Sequence, residues 1–232
     1  MKHLKHLLLI ATTIGALAAC KKDDPAEVDL GYDYFPQNLG HWIEYQVDSM
    51  RVHLVQGNVL DTTVYTYPMR EVLVEDFTDN EGRAAQRLIR YVRDDNGTWL
   101  PKDVWWQARD NVRAERSEEN LRRVKLLFPP RAGAEWDTNA PNPEDEFGLI
   151  YEEVDEPYSV NGLSFDKTLK VVGTYPNNFV NTRHYTERYA KGVGMILHEV
   201  DSINTQISDF DPLTYSSYDR WSVRYTITGY GN

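Results

Sequence analysis

The chain has 232 residues, a formal net charge of −11, one cysteine, six tryptophans and 15 tyrosines. So acidic a chain excludes a broad nucleic-acid surface and argues against wide contact with anionic lipid. One cysteine allows no internal disulfide, so an exported domain of this length must rest on its own core.

The first element is a leader. Lys2 and Lys5 give a short positive region, and Leu7 to Ala19 is uncharged and mostly apolar. That is the layout of a secretory signal peptide, and it is short for a transmembrane span. It ends in Leu17-Ala18-Ala19-Cys20, which resembles the lipobox of bacterial lipoproteins at all four positions. The resemblance implies that Cys20 becomes the mature N-terminus and carries acyl chains. Each buried CH₂ of such a chain contributes about 0.8 kcal/mol, and two chains anchor stably where one does not. The alternative, a small core cysteine at the end of a buried helix, lacks any polar alternation in its favour. Removing residues 1–19 takes away two lysines and no acids, which moves the formal charge from −11 to −13.

Lys21, Lys22, Asp23 and Asp24, closed by Pro25, read as a solvated tether. They also resemble the export signal of Bacteroidota surface lipoproteins, which implies an outer-membrane location facing the cell exterior. A plain spacer on the periplasmic face is the alternative. The expected organisation is a leader over 1–19, a lipid-anchored tether over 20–32 and one β domain over 33–232.

Beyond the tether the hydrophobic period is two, the mark of strands. His41 to Val47 alternates cleanly. Arg51 to Met69 reads as strand, Gly57-Asn58 turn, strand. Arg83 to Asn111 reads as two strands about Asp95-Asn96-Gly97. Arg113 to Lys125 mixes bases with Glu115, Glu118 and Glu119 and reads as a solvated hairpin turning at Ser117 to Asn120; a helix within Gln107 to Val124 is the lesser reading. Leu149 to Gly173 folds about Asn161-Gly162, a dipeptide suited to the left-handed positions of a tight turn. Arg183 to Ile203 pairs two strands across Lys191 to Gly194, and Arg220 to Tyr230 is a final strand. Pro129 to Glu146 and Ser208 to Asp219 read as irregular. The expected fold is mainly β, a single curved antiparallel sheet or half-barrel with little helix.

Two motifs and a hairpin carry a wider resemblance. Tyr34-Phe35-Pro36, Gly40, Trp42 and Tyr45 look like the opening of a class of Bacteroidota lipoproteins. Tyr189-Ala190-Lys191-Gly192-Val193-Gly194-Met195-Ile196 is similar to a later element of the same proteins, and Val160 to Val172 to their Val-rich hairpin. The resemblance implies a curved sheet related to the LolA/LppX-type half-barrel, a shape that can cup an apolar ligand. Read from the residues alone, Gly192 and Gly194 serve a tight strand connection.

No catalytic residue is assigned and no enzyme is expected. No Gly-x-Ser-x-Gly elbow or His-Glu-x-x-His helix occurs. His41, His53, His184 and His198 lack ligand spacing, although His184 and His198 could meet across the Gly192–Gly194 hairpin; no metal and no cofactor are expected. The acid runs Glu144-Asp145-Glu146, Glu152-Glu153 and Asp155-Glu156 read as solvated faces in an acid-rich chain, and Asp76 to Gly82 as a hairpin turn rather than a calcium loop. Trp99, Trp105 and Trp106 are the candidate ligand platform, although adjacent residues of a strand face opposite sides. Three Asp-Ser/Thr triplets, at Asp48, Asp61 and Asp201, resemble the Bacteroidota O-glycosylation pattern. The expected role is a non-catalytic binding module for an apolar or glycan ligand, held to the membrane by the N-terminal lipid. An assembly or adhesion lipoprotein that binds an envelope protein comes second and a hydrolase third.

Overall fold

The computed structural model describes residues 28–55, 59–175, 178–207 and 215–232. The expected leader, Cys20, Lys21 to Asp24 and the expected turn at Gly57-Asn58 lie outside the described residues. Twelve strands follow one another: β1 (Trp42–Val55), β2 (Val59–Thr78), β3 (Ala84–Arg93), β4 (Trp99–Arg109), β5 (Arg113–Glu118), β6 (Leu121–Leu127), β7 (Glu135–Asp137), β8 (Gly148–Val160), β9 (Leu163–Gly173), β10 (Asn181–Ala190), β11 (Gly194–Ile207) and β12 (Tyr215–Gly231). Among the described residues the only helical piece is a 3₁₀ turn at Tyr32–Tyr34.

The strands form one antiparallel sheet in the order β6-β5-β4-β3-β2-β1-β12-β11-β10-β9-β8-β7. Apart from the β1–β12 pair, each strand pairs with its neighbours in sequence, as short turns favour. The turn chemistry fits: Asn161 and Gly162 have φ of 51° and 79°, the positive values a two-residue hairpin requires. The segment Gln107 to Val124 is β4, β5 and β6, so the helical alternative fails. Within the stretch expected to be irregular, Glu135–Asp137 forms β7 against β8, and the chain from Tyr215 is already β12.

The two ends of this sheet, β6 and β7, nearly meet. Val124 N–H donates to Thr138 O at 2.9 Å, and the Trp136 indole and Thr138 hydroxyl both donate to Val124 O at 3.0 Å. Tyr151 completes the seam. Its hydroxyl accepts from Leu127 N–H at 2.7 Å and donates to Leu127 O at 2.8 Å. Side chains thus satisfy backbone groups that an open edge would leave bare. The result is a nearly closed barrel, further round than a half-barrel.

Twelve strands enclose more space than aliphatic side chains can fill. Here long aromatic and charged side chains fill it. Tyr34, Tyr45, Tyr151 and Tyr189 are buried, with Met69, Leu126, Leu149, Leu169, Ile196 and Ile227 among them. The high tyrosine content follows, because a tyrosine spans a wide lumen and offers a hydroxyl to polar partners. Tyr45 donates to Met195 O at 2.8 Å, Tyr189 to Glu187 at 2.7 Å, and Tyr225 accepts from Arg90 at 3.0 Å. A void between Phe35, Glu71, Arg116 and Met195 measures about 20 Å³, room for a single water.

The lower end is closed by the N-terminal segment. Phe35 is 2% exposed and Tyr34 fully buried. The Gly192 N–H donates to Asp33 O at 2.8 Å, and His41 Nε2 lies 2.8 Å from Val193 O. Lys191 pairs with Asp29 and sits 5.3 Å from the Tyr34 ring centre. The two motifs that carry the family resemblance therefore touch, and together they form the plug. Gly194 has φ of +93°, and a Cβ there would lie 3.4 Å from both Ile43 and Pro36, so glycine serves the fold at that position.

Candidate functional site

Two polar sites stand out, one inside the barrel and one on its outer face. The interior site is a chain of ionised side chains. Glu71 accepts from Arg116 at 3.1 Å and lies 3.5 Å from Arg90, whose guanidinium bonds Asp103 at 3.1 Å and stacks 3.9 Å from the Trp105 ring centre. Nearer the upper end, Lys125 reaches Glu187 at 2.5 Å, Glu118 at 3.3 Å and the Tyr185 hydroxyl at 3.2 Å. His198 lies 3.2 Å from the same Glu187. Arg116 and Lys125 belong to the hairpin read as solvated, and both are buried. The hairpin is correct and its solvation is not. The barrel is wide enough for β6 to reach across to β10, which no local pattern announces.

Burial alone would raise the Glu187 carboxyl's proton affinity. Lys125 and His198 overrule it and hold the group far below the ordinary carboxylate range. Burial likewise pushes the Lys125 ammonium down, and Glu118 and Glu187 push it further up. Both groups stay charged because they have each other. These acids and bases are spent on one another, which is the chemistry of a structural network rather than of a waiting acid or base.

The outer site is a groove of about 440 Å³ across β2, β1, β12, β11 and β10. On each strand the core takes alternate residues, so Asp48, Thr66, His184, Glu199, Asp201, Arg220 and Arg224 project from the opposite face. Arg220 holds Asp201 in a two-pronged pair at 2.9 and 2.8 Å. Arg224 lies 3.1 Å from Glu199, and Thr66 donates to Asp48 at 2.8 Å. Met50 and Val64 add apolar surface. The groove offers donors and acceptors in rows about 4.8 Å apart, the strand spacing, to a ligand lying across the sheet.

The residues singled out from sequence separate. His184 lines the outer groove and His198 faces the interior, so they do not meet, and no metal-binding group of His, Cys, Asp or Glu occurs among the described residues. The tryptophan platform also divides. Trp99 lies against Arg70 at 4.8 Å, Trp105 against Arg90 inside, and Trp106 against Phe77 at 6.3 Å. Adjacent strand residues face opposite ways, which forbids a shared surface for the last two. Gly192 and Gly194 belong to the plug. Asp79 is consumed by the backbone N–H groups of Glu81 and Arg83 and by the Arg83 side chain, as a hairpin turn requires. Glu152 pairs with Lys170, Glu153 with Arg188, and Asp155 accepts from Tyr34 at 2.6 Å. Ser49, Thr62 and Ser202 of the Asp-Ser/Thr triplets all lie within strands.

Sequence reading missed the groove because five strands assemble it from the two halves of the chain. The signal within reach was the row of charged and hydroxyl residues at alternate positions of β11 and β12.

A scan against protein-family models finds no match, and neither does a search of curated proteins. Among solved structures, the chain is similar to a crystal structure from Parabacteroides distasonis described as that of a candidate lipoprotein. The two share 13% identity with a TM-score of 0.34, over 84% of this chain and 98% of that one.

Proposed function

We propose that this protein is a lipid-anchored envelope lipoprotein of the Bacteroidota surface type, whose barrel is a non-catalytic binding module for a glycan. The observation that carries the choice of ligand is the contrast between the two faces. The interior, where an apolar ligand would sit, is filled by buried tyrosines, aliphatic side chains and ion pairs, while the outer face holds a groove of about 440 Å³ lined by ion pairs and hydroxyls. Sugar hydroxyls exchange hydrogen bonds with such groups without demanding a buried cavity.

The anchor reading rests on Leu17-Ala18-Ala19-Cys20 and on how close that cysteine lies in sequence to the segment that packs on the lower end of the barrel. Seven residues separate Cys20 from Val28, a reach that covalent geometry limits to roughly 30 Å. The N-terminal segment packs on the lower end, so an anchor there turns the opposite end away from the membrane. Replacing Cys20 by Ser is expected to abolish palmitate labelling and to move the protein from the membrane to the soluble fraction. A variant that still sediments with membranes would end the anchor reading. Protease shaving of intact cells distinguishes the exterior from the periplasmic face.

For the groove, the expected result is retention on a glycan array that falls at least tenfold in Arg220→Ala/Arg224→Ala. The melting midpoint should scarcely move, because exposed ion pairs contribute about 0–1 kcal/mol. Equal retention of both proteins, or no retention by the wild type, counts against it. A second reading, an assembly or adhesion lipoprotein, is favoured by one feature. Val59, Leu60, Val64 and Tyr65 are exposed on the part of β2 that extends beyond its pairing with β3. Capture of one stoichiometric envelope protein, lost on Leu60→Glu/Tyr65→Glu, would select that reading over the glycan.

A further inference from the structure

Two of the three tryptophans singled out from sequence are held by arginines. Trp99 lies against Arg70 and Arg93, and Trp105 stacks on Arg90 inside the barrel. Trp106, the next residue of β4, faces outward. There a nook of about 260 Å³ is lined by the β2–β3 connection from Phe77 to Glu81, by Trp106 and by Arg122 of β6. We infer that this nook binds one uncharged pyranose ring, stacked on Trp106 and held at its rim by Thr78 and Asn80.

Three observations carry this. The first is a turn that arches over the sheet without a ligand to hold it. Three strand spacings, roughly 14 Å, separate β3 from β6. Yet Glu81 of the β2–β3 turn pairs with Arg122 of β6, and Arg83 reaches Glu115 of β5 at 3.0 Å. The turn therefore bends across the outer face towards β6, over β4. Asp79 fixes its shape by accepting from the N–H groups of Glu81 and Arg83, each at 2.9 Å. A site formed before its ligand arrives loses less freedom on binding. The second is an aromatic corner. Trp106 and Phe77 stand at 88° with ring centres 6.3 Å apart. The face of an aromatic ring is its negative side and attracts C–H groups. A pyranose carries C–H groups on its flat side and hydroxyls at its rim. The third is unspent hydrogen-bonding capacity beside neutralised charge. The Trp106 indole N–H, the Thr78 hydroxyl and the Asn80 amide make no hydrogen bond among the described residues, and Thr78 and Asn80 are exposed. Together they offer donors and acceptors, as sugar hydroxyls require. The ionised groups are already paired, Asp79 with Arg83 and Glu81 with Arg122, so no bare charge calls for a charged ligand. The volume lies below the roughly 300–1,000 Å³ of pockets for drug-sized ligands, which suits one ring rather than a chain.

The nook shares no residue with the outer groove, so it stands or falls apart from the glycan reading of that groove. The test titrates the full chain, purified in a detergent without a sugar head group. The probes are the methyl glycosides of glucose, galactose and mannose, N-acetylglucosamine and glucuronate. Sorbitol, an open-chain polyol, is the blank, and p-cresol represents a flat aromatic ligand. The readouts are the ¹H–¹⁵N shifts of the Trp106 indole and the Asn80 side-chain amide. The expected result is a saturable shift with at least one uncharged pyranose, larger than any with sorbitol or glucuronate. Trp106→Ala, followed at Asn80, is expected to weaken binding by about tenfold and Trp106→Phe by less. Asn80→Ala, followed at Trp106, is expected to weaken it about threefold. Should Trp106→Ala fail to fold through loss of its Phe77 contact, Trp106→Phe and Asn80→Ala decide, because Asn80 is exposed. The inference is overturned if no pyranose saturates beyond sorbitol, if glucuronate or p-cresol alone saturates, or if the Trp106 and Asn80 variants bind as the wild type does. Loss of the shifts in Arg220→Ala/Arg224→Ala would assign the binding to the groove and overturn it equally.

Discussion

Lys125→Met is expected to destabilise the barrel by about 3–5 kcal/mol, the cost of breaking a buried ion pair by removing one partner. For a domain of this length that lowers the melting midpoint by roughly 6–20 °C. Lys125 is the only cation of its group in contact with both Glu118 and Glu187, at 3.3 and 2.5 Å. Without it, Glu187 keeps its burial and has His198 as its remaining basic contact. The pH dependence gives the diagnostic. In the wild type the Glu187 carboxyl lies below its unfolded value of about 4.3. Its contribution is therefore complete above that value and is lost as pH falls through the folded one. In the variant, burial acts with less opposition and raises the carboxyl. Its charge then destabilises the barrel at neutral pH, and protonation relieves the burden. The gap between wild type and variant should narrow on acidification. Urea titrations between pH 7 and pH 4 test this, with Lys125→Met/Glu187→Gln expected to recover part of the loss. A loss below about 1 kcal/mol at pH 7, or a gap that widens towards pH 4, would show that the pair holds nothing together.

The same residues show how far the sequence could be read. Strand character was legible wherever period two coincided with a turn dipeptide, as at Asn161-Gly162 and Asp95-Asn96-Gly97. The β1–β12 pair was not, because His41 to Val47 and Arg220 to Tyr230 lie at opposite ends of the chain and carry no local mark of partnership. Nor was the seam, where β7 is three residues long and side chains from Trp136, Thr138 and Tyr151 do the work of a ladder. The interior misled for a physical reason. Glu71, Arg90, Arg116, Lys125 and Glu187 occupy the inward parity of their strands, yet charge at alternate positions ordinarily marks the solvent side. A lumen too wide for aliphatic side chains inverts that rule locally, and only the tally of 15 tyrosines hinted at it. The outer groove was illegible for a related reason. Its members, from Asp48 to Arg224, become neighbours only after β1 meets β12.

The plug gives the second large effect. Phe35→Ala is expected to cost about 3–5 kcal/mol, the range for removing a buried phenyl ring that cannot be replaced by collapse. Phe35 is 2% exposed and lies beside the 20 Å³ void, so truncation enlarges a space already open to one water and brings it against Glu71 and Arg116. Water reaching that pair would loosen the interior charges as well as the apolar contacts, which places the loss toward the upper part of the range. Gly194→Val should act on the same unit by another route. Its φ of +93° is a conformation a β-branched residue rarely adopts, and the added atoms would press on Ile43 and Pro36. Leu39→Ala, at an exposed position just outside the plug, should stay within about 0.5 kcal/mol. Guanidinium unfolding measures all three, and limited proteolysis of residues 28–40 reports whether the plug itself has come loose. If Phe35→Ala unfolds with the wild-type midpoint while residues 28–40 become cleavable, the segment is a cover and not a keystone. The two motifs would then meet at the lower end for the sake of the tether rather than of the barrel.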